Sequence, residues 1–147
     1  MRLVADGKVI VAGTYSGNGI ALSAVSASMD YLSQDGVYDS LNANAATLRE
    51  GLNEIWSRSN ISAYTVGVGA MFQLWFSERP IHNYREAVRY ANGDIFRIWW
   101  EEMLYQGILF HPHYFENLFV STAHTKEDID LTLERAERAV FNVEKRI

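Results

Sequence analysis

The sequence predicts an α+β domain built around an antiparallel sheet, and three observations support that prediction. Segments with apolar residues at helical spacing are mixed with short segments rich in β-formers, in the order helix, helix, strand, strand, helix, strand, strand, helix. Hydrophobic residues make up 48% and charged residues 21% of the 147 residues, which is typical of a globular chain. The 4 Trp, 8 Tyr and 7 Phe provide enough large side chains for one core.

Four helices are predicted from apolar stripes. Residues 20–32 form an Ala- and Ser-rich helix whose small residues suggest close packing, with Leu22, Val25, Met29 and Leu32 on one face. Residues 37–57 form a second helix, with Leu41, Ala45, Leu48, Leu52 and Ile55 on its stripe. A third helix covers about 83–105, with a break or bend at Asn92-Gly93 and with Tyr84, Val88, Ala91, Ile95, Trp99 and Met103 on one face. The last helix begins at Thr125, whose side chain is a plausible N-cap with Asp128 three positions on.

The strands are predicted from short β-rich runs. Residues 63–68 and 71–76 form either a tight hairpin or one bulged strand, because Gly67 and Gly69 lie near their junction. Short strands are also expected at residues 108–110 and 118–120, and an extended segment at residues 7–13.

Composition excludes several classes of function. The formal net charge is −5 and the basic residues are scattered, so we expect no nucleic-acid partner. The chain has no cysteine, which excludes disulfides and thiolate metal sites and is compatible with the cytoplasm. We expect no membrane span, because no run of about 18 apolar residues occurs. The first residues lack the apolar core of a signal peptide.

Four strings carry a resemblance to a known family. They are Ala-Gly-Thr-Tyr-Ser-Gly-Asn at 12–18, Gly-Val-Gly-Ala-Met-Phe at 67–72, Asn-Tyr-Arg-Glu-Ala at 83–87, and Phe-Glu-Asn-Leu-Phe-Val-Ser-Thr-Ala-His-Thr-Lys-Glu-Asp-Ile at 115–129. In this order they resemble the C-terminal part of class III pyridoxal-phosphate (PLP) aminotransferases, above all the glutamate-1-semialdehyde aminomutases. The resemblance covers nearly the whole chain.

The resemblance implies a fold and a division of the chain. The fold is the C-terminal small domain of fold-type I PLP enzymes, in which helices pack on one side of an antiparallel sheet. Residues 1–19 would be the end of the large domain with its phosphate-binding loop, and residues 20–147 the small domain.

The resemblance also implies that the lysine that binds PLP covalently lies upstream of this chain. Gly7-Lys8-Val9-Ile10 looks like the family's lysine string, but it directly precedes the Ala12-Gly13-Thr14 loop and lacks the following glycines. We therefore expect Lys8 to be an exposed residue of the lead-in. No catalytic residue is assigned, PLP is the family cofactor without a covalent site here, and we expect the chain alone to be inactive.

Gly13 and Thr14 are the predicted cofactor-binding residues. In the family, the loop threonine binds the PLP phosphate of the neighbouring subunit, and a following helix N-terminus favours an anion. The alternative is a simple turn before a helix, capped by Ser16 or Asn18. Gly19 stands where the family usually has proline, which leaves the order of the loop open.

Glu116 is predicted at the substrate entrance, because the matching glutamate of aminomutases lies near substrate; the alternative is a solvated loop acid.

Ser121 and His124 invite comparison with hydrolases, but no nucleophile elbow accompanies them, so capping beside Thr125 is preferred. His111 and His113 lack a third ligand at suitable spacing for zinc, which favours a loop with aromatic packing.

Three hypotheses about function follow. The chain is a fragment or truncated relative of a class III aminotransferase and self-associates as a homodimer, or it is a stand-alone non-catalytic binding module, or it is half of a split enzyme completed by a large-domain polypeptide. The substrate is not defined by the sequence.

Overall fold

The computed structural model describes residues 2–147. In chain order its elements are α1 (Arg2–Ala5), α2 (Gly19–Leu32), α3 (Val37–Ser57), β1 (Ala63–Val68), β2 (Met71–Phe76), α4 (Tyr84–Tyr90), α5 (Gly93–Tyr105), β3 (Leu118–Phe119) and α6 (Lys126–Arg146). They fall into two compact units that divide after Val37. The predicted boundary after residue 19 stays a prediction. Within residues 2–147, none of the helices has both the length and the apolar character needed to cross a bilayer.

The two segments predicted as a hairpin or a bulged strand form a tight hairpin. β1 and β2 pair antiparallel, with Val68 opposite Met71 and Ala63 opposite Phe76. The two-residue connection contains Gly69 at φ +55°, a left-handed conformation that glycine adopts without strain. β3 pairs with the other edge of β2, which gives the sheet order β1-β2-β3.

Side chains of α3 cover the free edge of β1. The Asn53 Oδ1 atom accepts a hydrogen bond from the Thr65 N–H at 2.7 Å. Arg49 Nη1 donates to the Gly67 carbonyl at 2.9 Å. Backbone groups on this part of the edge are therefore paired within the domain, which protects the strand against pairing with another chain.

One face of β2 packs on the helices and forms the core of the second unit. Phe72, Leu74 and Phe76 are buried there, as the alternation of residues 71–76 predicts. Trp56 meets Phe76 edge to face at 4.9 Å between ring centroids. The helices add further buried residues: Ala45, Leu48, Leu52, Ile55, Phe96, Trp99, Met103, Ile129, Ala136, Ala139, Val140 and Val143.

The predicted third helix is divided into α4 and α5 at the Asn-Gly pair. Asn92 begins a new helix, because its Oδ1 atom accepts from the Ile95 N–H at 3.0 Å. Its own N–H donates to the Phe76 carbonyl at 2.8 Å, which ties the break to the sheet. The predicted apolar face is wrong in α4: Tyr84 and Val88 are exposed, and Ala87 is the buried residue.

The strand predicted at residues 108–110 is wrong. Gly107, at φ +81°, ends α5, and the Ile108 N–H donates to the Met103 carbonyl at 2.9 Å. The Phe110 carbonyl accepts from Trp100 Nε1 at 2.7 Å. These hydrogen bonds go to α5 rather than to a sheet, and Leu109 is 75% exposed.

The first unit also departs from expectation. The extended segment predicted at residues 7–13 contains no strand, and α1 precedes it. α2 forms as predicted and is capped by Asn18, whose Oδ1 atom accepts from the Ala21 N–H at 3.0 Å. None of its side chains is buried, and the close packing suggested by its small residues stays a prediction.

Candidate functional site

The predicted phosphate loop is a pair of consecutive turns that leads into α2. The Ser16 N–H donates to the Gly13 carbonyl at 3.0 Å, and the Asn18 N–H donates to the Tyr15 carbonyl at 3.1 Å. Gly17 lies at φ +81°, which only glycine adopts readily. A Cβ atom on Gly13 would lie 3.1 Å from Ser16 Oγ, so a side chain there would crowd the turn.

Thr14 projects from the first of these turns. It is exposed, and neither its hydroxyl nor its backbone N–H takes part in a hydrogen bond with the described residues. The 14-residue helix α2 begins five residues after Thr14, and its N-terminal N–H groups carry the positive end of the helix dipole. Free donors beside a helix N-terminus are suited to an oxyanion such as phosphate.

Glu116 lies in the second unit, in the loop between α5 and β3. Its N–H donates to the His113 carbonyl at 3.0 Å. Its side chain is exposed and has no hydrogen-bond partner among the described residues. The position is therefore compatible with both sequence interpretations, a solvated acid and a substrate-entrance carboxylate.

Aromatic packing holds the loop that carries Glu116, as expected, and of its two histidines His113 takes part. His113 stacks on Tyr114 with 5.2 Å between ring centroids and 18° between planes. Phe115 packs against Trp75 at 6.1 Å and against Tyr84 at 5.5 Å. Within the described part of the chain, no group of three His, Cys, Asp or Glu side chains is arranged to hold a metal.

A cavity that the sequence did not reveal opens on the second face of the sheet. It has a volume of about 500 Å³, and its lining includes Val66, Met71, Gln73, Trp75, Tyr84 and Phe115. Gln73 Nε2 donates to the Tyr114 carbonyl at 2.5 Å and so ties the aromatic loop to β2. The alternation along β2 places Met71, Gln73 and Trp75 on this face, but the contribution of residues 84 and 115 requires the tertiary fold.

Ser121 and His124 belong to the turn before α6, as predicted. The Ser121 N–H donates to His124 Nδ1 at 3.0 Å, and Ser121 Oγ lies 2.9 Å from the same nitrogen. Thr125 is the N-cap and forms a capping box with Asp128. His124 Nδ1, the ring nitrogen nearest the serine, therefore accepts a backbone hydrogen bond, which indicates a structural role in this turn.

Lys8 is exposed, as expected. Its N–H donates to the Leu3 carbonyl at 2.9 Å, in the turn that follows α1. Thr14 and Lys8 belong to the first unit, and Glu116 belongs to the second.

Comparison with known proteins gives a consistent result, although no family model matches the chain. The glutamate-1-semialdehyde 2,1-aminomutase of Syntrophobacter fumaroxidans is 34% identical over 145 residues, which are 99% of this chain and 33% of the relative. A transaminase solved with PLP bound shares the fold, with a TM-score of 0.76, 14% identity, and coverage of 94% of this chain and 30% of that one. A variant glutamate-1-semialdehyde aminomutase of Pseudomonas aeruginosa PAO1, in complex with PMP, gives a TM-score of 0.78 at 22% identity, with coverage of 93% and 31%.

The fold and the sequence relationship together define the class. The chain belongs with the class III PLP-dependent aminotransferases and corresponds to their C-terminal third. Within that class, its curated relatives are glutamate-1-semialdehyde 2,1-aminomutases, and PLP is the cofactor of the family. The chain spans about a third of the length of these relatives. The predicted fold class and family are thereby confirmed.

Proposed function

We propose that the chain is the small domain of a PLP-dependent enzyme of the glutamate-1-semialdehyde aminomutase type. The main support is the match over 99% of the chain to 33% of an aminomutase. The chain would be inactive alone and would need a large domain, which carries the covalent lysine in the family. That domain would come from longer copies of the same polypeptide, assembled as a homodimer in the cytoplasm, or from a separate polypeptide.

Gly13 and Thr14 would hold the phosphate of the cofactor. The exposed hydroxyl and N–H of Thr14 are free to donate, and the absence of a side chain at Gly13 leaves room for the turn. When bound, PLP supplies an electron sink for chemistry at the amino-bearing carbon. The contribution of this chain would be to neutralise and orient the phosphate. In a homodimer, the loop would serve the cofactor of the neighbouring subunit.

Glu116 would face the substrate at the entrance. An exposed carboxylate on a loop held by Phe115 packing can attract an ammonium group and repel an anion.

A large domain would cover the exposed apolar side chains of α2, which are those of Ile20, Leu22, Val25 and Met29.

The proposal is tested with a chimera in which this chain replaces the C-terminal third of the Syntrophobacter fumaroxidans aminomutase. We expect the chimera to bind PLP and to retain aminomutase activity. Thr14→Val should weaken PLP binding by roughly tenfold, because it removes a hydrogen bond to a charged group worth about 1.5 kcal/mol. Ser23→Ala is the matched control, since the Ser23 hydroxyl donates to the Gly19 carbonyl within α2.

Two results would contradict the proposal. One is a folded chimera in which Thr14→Val and Ser23→Ala bind PLP equally well. The other is a folded chimera that binds PLP through the upstream lysine but has no activity with any amino donor.

A further inference from the structure

A second cavity lies in the unit formed by residues 38–147. None of its lining residues is a predicted cofactor-binding or substrate-entrance residue. Its volume is about 380 Å³, and Ser77, Arg79, Arg89, Tyr90 and Asn92 line it together with apolar residues that include Phe76 and Ile95. This volume is within the range of small-molecule sites.

Two arginines meet at one aromatic ring in this cavity. The guanidinium carbons of Arg79 and Arg89 lie 5.2 and 5.5 Å from the centroid of the Tyr90 ring. Both cations therefore lie within the range of a cation–π interaction with the same ring. Neither guanidinium lies within 4.0 Å of a carboxylate oxygen among residues 2–147. The cavity therefore contains two positive charges without an ion-pair partner in the described chain.

The backbone that carries Arg79 is fixed by hydrogen bonds. Its carbonyl accepts from Ser77 Oγ at 2.8 Å and from the Tyr64 hydroxyl at 3.1 Å. The Tyr64 hydroxyl in turn accepts from the Ile81 N–H at 2.8 Å. Arg89 lies in the last turn of α4, whose end is tied to the sheet through Asn92. The backbone of the site is therefore held in place before a ligand binds, and the ligand would order the exposed Arg79 and Arg89 side chains.

We propose that this cavity binds a small ligand carrying an oxyanion, either phosphate or carboxylate. The planar guanidinium groups of Arg79 and Arg89 match the geometry of such oxygens, and the side-chain NH2 group of Asn92 adds a neutral donor. Phe76 and Ile95 provide an apolar part of the wall for the body of the ligand. Glu78 also lines the cavity, and its carboxylate favours ligands that place their charge at the arginines.

The test is a titration of the isotopically labelled chain, followed by backbone amide NMR at constant ionic strength. Inorganic phosphate and glutarate are the two probes, and chloride is the salt reference. We expect saturable shifts at residues 77–79 and 89–92 with one or both probes. Phosphate alone would assign a phosphate site, and glutarate alone a carboxylate site.

Arg79→Gln and Arg89→Gln should each weaken the binding of the active probe at least fivefold. Arg85→Gln is the matched control, because Arg85 lies on the same helix, is exposed and does not line the cavity. Spectra of the free variants show whether each one is folded. The proposal is overturned if the shifts do not saturate, if chloride reproduces them, or if Arg85→Gln weakens binding as much as the other two.

Discussion

The Glu102 carboxylate on α5 accepts a hydrogen bond from Arg146 Nη1 on α6 at 2.7 Å. Glu102 is only 8% exposed, and its other oxygen accepts from Asn142 Nδ2 at 3.0 Å. Arg146 also pairs with Glu101 at 2.6 Å, so one guanidinium joins two successive carboxylates. The long C-terminal helix is thus tied by polar contacts to the helix it packs on.

Replacing Glu102 with alanine should lower the free energy of unfolding by about 1–3 kcal/mol. The substitution leaves Asn142 Nδ2 and Arg146 Nη1 without their acceptor at the edge of the core, while Arg146 Nη2 keeps its contact with Glu101. The magnitude is below that of a fully buried ion pair, because the Arg146 side chain is 37% exposed. Urea unfolding followed by circular dichroism measures the difference.

Glu134→Ala is the control for that experiment, since Glu134 pairs with Arg138 on the exposed surface of α6. It should change the free energy by about 0.5 kcal/mol or less. Equal effects of the two substitutions would show that Glu102 does not stabilise the α5–α6 contact.

Gly67→Ala should destabilise the hairpin, although glycine is a poor strand former. A Cβ atom at residue 67 would lie 2.4 Å from the Met71 carbonyl oxygen and 2.6 Å from the Phe72 Cα. Both are backbone atoms that cannot rotate away, so we expect a loss of about 1–3 kcal/mol in unfolding free energy. The measurement is again urea unfolding.

The matched control is Gly19→Ala, at a position where an added Cβ meets no atom within 4 Å. It should leave stability unchanged or raise it slightly, because alanine is the better helix former. A Gly67→Ala protein as stable as the Gly19→Ala protein would mean that the hairpin accommodates the methyl group.

Asp128 makes the acid stability of α6 depend on pH. The Thr125 N–H, and secondly the Thr125 hydroxyl, donate to its carboxylate and hold its pKa below the ordinary value of 3.8. A pKa that is lower in the folded chain stabilises the fold above the unfolded pKa. That contribution is lost as pH falls through the folded pKa.

Asp128→Asn should therefore flatten the acid side of the melting-temperature profile, measured from about pH 6 down to about pH 2 so that the range extends well below the unfolded pKa of 3.8. Glu127→Gln removes a charge from the same helical turn but keeps the capping box, and it should retain the slope of the original chain. If the Asp128→Asn profile runs parallel to that of the original chain, the capping box does not titrate as described.

The sequence was sufficient for the elements whose pattern is strong and local. The stripe of residues 37–57, the alternation of residues 71–76 and the Thr125 cap each gave the correct element, because each reflects contacts within one segment. Residues 108–110 are apolar like a buried strand. Gly107 instead ends α5 in a left-handed conformation, and the Ile108 N–H donates to the Met103 carbonyl. This local helix-end geometry overrides the apolar pattern of residues 108–110.

The candidate sites divide in the same way. The turn at Gly13–Asn18 and its helix are visible as a run of small residues, but the phosphate role of Thr14 came from the family resemblance alone. The meeting of Arg79 and Arg89 at Tyr90 depends on the break at Asn92 and on the loop after β2. Sequence spacing does not reveal such a cluster, because Arg79 lies in the loop after β2 whereas Arg89 and Tyr90 lie at the end of α4.

Lys8 should not form the covalent site for PLP. A lysine activated for carbonyl chemistry lies in an apolar pocket or beside other cations, and Lys8 is exposed in a turn. The other two lysines are also exposed. Lys126 pairs with Asp130 at 2.5 Å, and Lys145 lies 3.7 Å from the centroid of the Phe141 ring. After incubation with PLP and reduction with borohydride, we expect substoichiometric labelling spread over the three, measured by mass spectrometry. Lys8→Arg should remove only the Lys8 share of the labelling and leave that on Lys126 and Lys145. A single stoichiometric adduct on Lys8 that this variant abolishes would make the chain a self-contained PLP protein and would refute the assignment of the lysine to a large domain.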